Sequence, residues 1–156
     1  MLPESIELQV VTPQRHVLQE TVHSVEIPGK EGYLGVLPGH APLLTELGIG
    51  ILAYRKDSQV KFLTVIYGYA EVLPDRVIVL AELSERAEDI DPEKARAEHD
   101  RAQSELAKAG IRTEVWERER VAIEHAVVQM EAFARHSGGS NSGAGAGPGA
   151  SGGGHR

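Results

Sequence analysis

The chain has 156 residues with 23 acidic and 16 basic side chains, a formal net charge of −7 and no cysteine. Disulfides, thiolate catalysis and cysteine-based zinc sites are excluded at once, and nucleic acid is a poor partner because its phosphates call for clustered Lys and Arg. Hydrophobic residues make up 41% but aromatics only 4%, so a core has to rest on Val, Leu and Ile. No apolar run reaches the roughly 18 residues that crossing a membrane takes, so no direct membrane insertion is expected. The N-terminus reads as neither a secretion signal nor an Arg-rich leader.

Residues 5–83 read as strands. Ile6, Leu8 and Val10 alternate with Glu7 and Gln9, the period-two pattern of a half-buried strand. Short extended stretches at 17–19 and 23–27 follow, then 49–54, 59–67, 69–73 and 76–80, rich in β-branched residues. Turn signals separate them: Lys56-Asp57-Ser58, Gly68 and Pro74-Asp75. This spacing, with no helical period in between, points to an antiparallel sandwich or barrel.

Composition changes near Glu85, where Ala, Glu and Arg become dense. Asp91 is placed to cap a helix and Pro92 to open it, where a missing N–H costs nothing. That helix is expected to run to about Ala109, with Ala95, Ala102, Leu106 and Ala109 on one side and Gly110 ending it in the left-handed region. Thr113 caps a second helix whose apolar stripe is Trp116, Ile123, Val127, Met130 and Ala134. The fold class is therefore α+β: a β-sandwich over 1–84, an antiparallel two-helix hairpin over 85–136, and a Gly/Ser/Ala-rich tail over 137–156 expected to be disordered. The narrow stripe predicts a hairpin that docks on something and undocks cheaply.

The most distinctive stretch is 27–50, with six glycines and three prolines in 24 residues, yet Tyr33, Leu34, Val36, Leu37, Leu43, Leu44 and Leu47 lie among them. A floppy linker lacks such anchors. The segment reads as tight packed turns, with positive φ expected at Gly29, Gly32 and Gly39. Gly29-x-x-Gly32-x-x-Gly35 is no phosphate cradle, because no Gly-Lys-Ser/Thr follows and no helix starts at its end.

Gly29-Lys-Glu-Gly32-Tyr-Leu34-Gly35, then Pro38-Gly-His40-Ala41-Pro42-Leu43-Leu44, resembles the signature region of the epsilon subunits of bacterial F-type ATP synthases. The resemblance extends through the opening Leu8-Gln-Val-Val-Thr-Pro13, Tyr67-Gly68-Tyr-Ala70-Glu-Val, with Tyr69 where the family has a second glycine, and Val77-Ile-Val-Leu-Ala-Glu82. It covers about residues 5–135. It implies a ten-stranded sandwich followed by two helices, and a non-catalytic rotor subunit of the proton-translocating enzyme, peripheral on the cytoplasmic side of the cell membrane. The implied partners are the gamma subunit, the membrane rotor ring of c subunits and, transiently, the alpha/beta catalytic head. Glu31, Gly32, Tyr33 and Leu34 match the family's ring-facing turn, and His40 a position near the same interface. The helices match a regulator that blocks ATP hydrolysis.

Some relatives bind ATP through Ile/Leu-Asp-x-x-Arg-Ala at the first helix. The matching residues are Ile90, Asp91, Lys94 and Ala95, with Glu85 and Arg101 at other contact positions and His125 and Gln129 where arginines stand in those relatives. Lys94 keeps the charge of the family's Arg but loses its planar fork. No cofactor is expected, and ATP at most as a weak regulatory ligand. The seven histidines form no i, i+4 pair or short ligand pattern, no Gly-x-Ser-x-Gly elbow is present, and paired acids such as Glu88 and Asp89 or Glu117 and Glu119 are expected on a loop or a solvated helix face. A free-standing nucleotide sensor and a small sandwich hydrolase are the competing classes; the lack of a nucleophile-base pattern weighs against the second.

Overall fold

The computed structural model describes residues 2–139. Seven strands come first: β1 Ile6–Val11, β2 His16–Val22, β3 Ser24–Gly29, β4 Gly32–Val36, β5 Leu43–Lys56, β6 Gln59–Leu73 and β7 Arg76–Leu83. A 3-10 turn at Ala87–Asp89 leads to α1 Pro92–Lys108 and α2 Glu114–Gly139. The sheet order is β2-β1-β7-β6-β5-β3-β4. Neighbours are antiparallel except β1 and β7, the first and last strands, which pair parallel. The sheet folds over on itself, so that Lys56 at the end of β5 forms an ion pair with Glu20 of β2.

Alternation decides what lies inside. Ile6, Leu8 and Val10 of β1, Leu52 and Tyr54 of β5, Leu63 and Val65 of β6, and Val77 and Val79 of β7 share one buried cluster. In the stretches 49–56 of β5 and 59–66 of β6, the side chains of opposite parity face outward, and there the helices sit. Ile51 and Phe62 pack with Ala87, Ile90, Val128, Ala132 and Phe133 in a second, smaller cluster. The sandwich is thus a two-faced platform, one face its own core and the other a seat for α2, with α1 packed on α2.

Several expectations change. The ten strands implied by the resemblance are seven, because β5 and β6 run unbroken for 14 and 15 residues. Gly68 is not a turn between two strands but an interior residue of β6, with φ +127° beside Tyr67 at +50°. A Cβ there would lie 1.9 Å from the Leu80 carbonyl oxygen, so the glycine allows β6 to bend against β7 without losing register. The turn-rich reading of 27–50 fails beyond residue 42, where β5 begins and carries Gly48 and Gly50 as strand residues. Gly32 and Gly39 do take positive φ, at +133° and +86°, whereas Gly29 does not. Gly29 is small for another reason: a Cβ would meet the Gly32 carbonyl oxygen at 2.6 Å where the β3–β4 hairpin closes.

At the hairpin's far end the left-handed residue is Arg112, φ +66°, rather than Gly110. The expected α2 stripe is also displaced. Trp116, Ile123 and Met130 are half-buried, but Val127 and Ala134 are exposed, and the fully buried positions are Glu119, Ala126 and Ala132. A helix covered by a sheet on one side and a helix on another is buried along two lines, with alanines at the closest approaches. The chain does not leave the sandwich at Glu85. Thr64 and Glu85 exchange hydrogen bonds, Thr64 N–H to the Glu85 carbonyl (2.9 Å) and Glu85 N–H to the Thr64 hydroxyl (3.0 Å), and Arg86 donates twice to the Val17 carbonyl (2.9 and 3.1 Å). Helix α2 takes in 137–139; the rest of the expected disordered tail, 140–156, lies outside the described residues.

Gly68→Ala is expected to cost at least ~2 kcal/mol in urea unfolding, from a backbone clash added to a positive φ. Gly35→Ala, with nothing within 4 Å of the added methyl, serves as the control and is expected to be neutral or slightly stabilising.

Candidate functional site

Two groups of residues singled out by sequence lie at opposite kinds of place. The first is the β3–β4 hairpin. Glu31 and Gly32 form its exposed tip, and Lys30 bonds to Glu46 of β5 at its base (3.3 Å). Tyr33 is exposed over half its surface, yet its hydroxyl is not free: it accepts a hydrogen bond from the Ile51 N–H at 3.1 Å. The reason lies in the ladder. Pairing of β3 with β5 is irregular between Glu26 and Gly29, and Pro28 has no N–H to offer. The phenol fills this gap, and Gly50 makes room for it, since a Cβ there would sit 2.7 Å from both the Tyr33 oxygen and Pro28. The amide so held belongs to Ile51, whose side chain lies in the helix seat.

Leu34 differs from the expectation of a surface contact. It is half-buried against the sandwich core, so its role in the hairpin is packing. His40 sits in the turn after β4, its Nδ1 2.7 Å from the Ala41 carbonyl and its N–H bonded to the Leu37 carbonyl at 3.1 Å. Gly39 N–H reaches the Pro74 carbonyl at 2.7 Å. This ties the His40 turn to the β6–β7 turn at the same end of the sandwich.

The second group surrounds the start of α1. Asp91 caps the helix, its carboxylate accepting from Glu93 N–H (3.1 Å) and Lys94 N–H (3.3 Å). Ile90 and Ala95 are buried as packing residues. Glu85 accepts from the Gln129 side-chain amide at 2.9 Å, and His125 lies 3.8 Å from the same oxygen. Arg101 bonds to Glu98 (2.6 Å) on its own helix and to Glu119 (2.8 Å) on α2. Glu119 is almost completely buried, and Arg118 reaches its other oxygen at 3.2 Å. These bonds, that from Arg101 foremost, hold the Glu119 carboxyl below its ordinary range. Lys94 is exposed. The structure therefore brings Glu85, His125 and Gln129 together and engages Arg101 in an interhelical ion pair.

Glu119, expected on a solvated helix face, is instead buried between the helices, because Arg101 and Arg118 neutralise it there. Its signal was present in retrospect: an acid at helical spacing before Ala126, opposite an arginine on a helix otherwise poor in large apolar side chains.

A family model described as "ATP synthase, Delta/Epsilon chain, beta-sandwich domain" matches residues 5–87. The chain is 45% identical to the ATP synthase epsilon chain of Koribacter versatilis over 109 residues, 70% of this chain and 77% of the relative. The chain belongs to the ATP synthase epsilon family. The epsilon chain of Trichlorobacter lovleyi is 42% identical over 130 residues, 83% of this chain and 94% of that one, so the helices fall within the family match as well. Epsilon chains are non-catalytic stalk subunits. In fold, the chain is similar to a chain of the mitochondrial ATP synthase of Euglena gracilis, solved with OSCP, F1 and c-ring, at TM-score 0.71 and 24% identity over 88% of this chain and 84% of that one. A chain of the Tetrahymena thermophila central stalk and c-ring is similar at TM-score 0.53 and 17% identity, covering 82% and 96%. No helix among the described residues is long and apolar enough to cross a membrane.

Arg101→Ala leaves Glu119 buried with only its sequence neighbour Arg118 as a counter-charge. Amide exchange in α1 is expected to accelerate strongly in that variant, whereas Lys94→Ala exchanges as the wild type does.

Proposed function

We propose that this epsilon chain links rotor ring to catalytic head, with the sandwich as the coupling body and the helical hairpin as a brake on ATP hydrolysis. The observation that carries the brake is the small seat. Only Ala132 of α2 is fully buried there, with Val128 and Phe133 partly so. Burial on that scale is worth on the order of a few kcal/mol, little enough for a second binding surface on the head to compete.

The coupling body is supported by what it exposes. Leu44, Tyr69 and Leu80 lie on one outward face of β5, β6 and β7, each more than half exposed and placed by the register Glu46↔Tyr69↔Leu80. An apolar strip of this kind on a sheet suits a protein partner, and the reading assigns it to the gamma subunit. The end carrying Glu31, Gly32, Tyr33 and His40 is assigned to the c-subunit ring, with Leu34 supporting it from behind. The chain is thereby placed on the cytoplasmic side of the cell membrane, held there through its partners.

ATP is assigned no more than weak binding. The arginines of ATP-binding relatives are replaced by His125 and Gln129, and Gln129 satisfies Glu85 from within the chain. Calorimetry is expected to show no saturable ATP binding in the micromolar range; a micromolar isotherm overturns the assignment.

Removal of residues 91–156, which keeps the Glu85–Ile90 anchor, is expected to preserve co-elution with gamma and to raise ATP hydrolysis by the reconstituted enzyme several-fold. Unchanged hydrolysis removes the brake, and loss of gamma by the full chain removes the coupling role.

A further inference from the structure

We infer that His125 makes docking of the helical hairpin on the sandwich depend on pH, the hairpin being held while the imidazole is neutral and loosened when it is protonated. Three elements converge on this side chain. Glu85 faces it from the segment after β7, Nε2 to Oε1 3.8 Å. Glu98 acts on it from α1, but that carboxylate already receives two bonds from Arg101 (2.6 and 3.0 Å). One turn along α2, Gln129 donates to the Glu85 oxygen nearest the imidazole. Five residues back, Arg120 is engaged by Glu117, Glu124 and the Tyr67 phenol of β6.

The geometry leaves the imidazole without a hydrogen-bond partner at Nε2, an atom buried from solvent. A separation of 3.8 Å is too long for a hydrogen bond, and the oxygen nearest the ring already accepts from Gln129. Protonation there places a charge on a nitrogen closed off from water, with the Glu85 carboxylate near but not hydrogen-bonded to it and Glu98 already paired with Arg101. Burial is the largest influence and pushes His125 below its ordinary value of 6.5, while Glu85 and then Glu98 pull it back by less. Docking therefore favours the unprotonated ring. The undocked hairpin takes up the proton first, so docking strength is fully present above pH 6.5 and declines as pH falls from there toward the lower docked value. Each unit of depression corresponds to about a tenfold change in the docking equilibrium. The inference rests on the docked geometry and not on the brake, and it is tested on the isolated full chain.

The chain lacks cysteine, so two exposed positions can be labelled specifically: Ser58→Cys in the β5–β6 turn and Gln103→Cys on α1. Single-molecule energy transfer is then followed between about pH 8 and 5.5, above the ordinary carboxylate range. A longer-distance population is expected to grow as pH falls below 6.5, and to be independent of pH in His125→Gln. A flat response in the wild-type background, or a His125→Gln variant that titrates like wild type, overturns the inference. Glu85→Gln keeps an acceptor for Gln129 but removes the compensating charge, and is expected to strengthen the response; an unchanged or weaker response also overturns it.

Discussion

The pairing of β5 with β6 over almost their whole lengths is the constraint from which the other parts follow. Thirteen cross-strand pairs, from Leu43↔Val72 to Lys56↔Gln59, keep one register across the ladder. With register fixed, the faces are fixed on each side of the irregularity at Gly48 and Tyr67-Gly68, where the inward parity switches so that Leu47 and Leu52 both face the core. A one-residue slip would exchange the faces. Leu52, Tyr54, Leu63 and Val65 are thereby committed to the sandwich core, and Ile51 and Phe62 to the helix seat. The same ladder presents Leu44 and Tyr69 outward. Core, seat and docking strip are three readings of one register.

The helices are held differently. Their contact with the sandwich includes a few apolar side chains, the Gln129–Glu85 amide-carboxylate bond, the Arg120 bond to the Tyr67 phenol and the Arg135 guanidinium over the Phe62 ring. Their contact with each other includes the buried Glu119 carboxylate between Arg101 and Arg118. A buried ion pair contributes little net stability but is costly to break by removing one partner. It therefore fixes how α1 lies on α2 more than it strengthens the hairpin. An apolar seat has no such preference for one geometry, so specificity is concentrated within the hairpin and tolerance at its base.

Much of this was legible in the sequence, for identifiable reasons. Alternation in Ile6–Val10 and the Asp91-Pro92 pair each report a local rule, period two or a cap, that tertiary structure did not override. The errors fall where a residue's role is set by a distant neighbour. Gly68 looks like a turn because glycine usually marks one; only the Leu80 carbonyl of β7 shows it as a point of close approach. Val127 and Ala134 fit a helical stripe, but the burial lines follow two partners that one period cannot describe. Leu34 sits in a turn motif and nevertheless packs inward, because β4 alternates about Val36. Of the candidate site residues, Glu31 and Gly32 lie exposed at a hairpin tip, while Ile90 and Ala95 are buried and Asp91 caps α1.

The Tyr33 phenol has a mechanical implication. It closes a break in the β3–β5 ladder by taking the Ile51 amide, and Ile51 is the β5 residue whose side chain supports α2. Backbone and side chain of a single residue thus answer to opposite ends of the molecule. The hairpin that carries Tyr33 and the seat that carries α2 are thereby anchored on the same residue of β5.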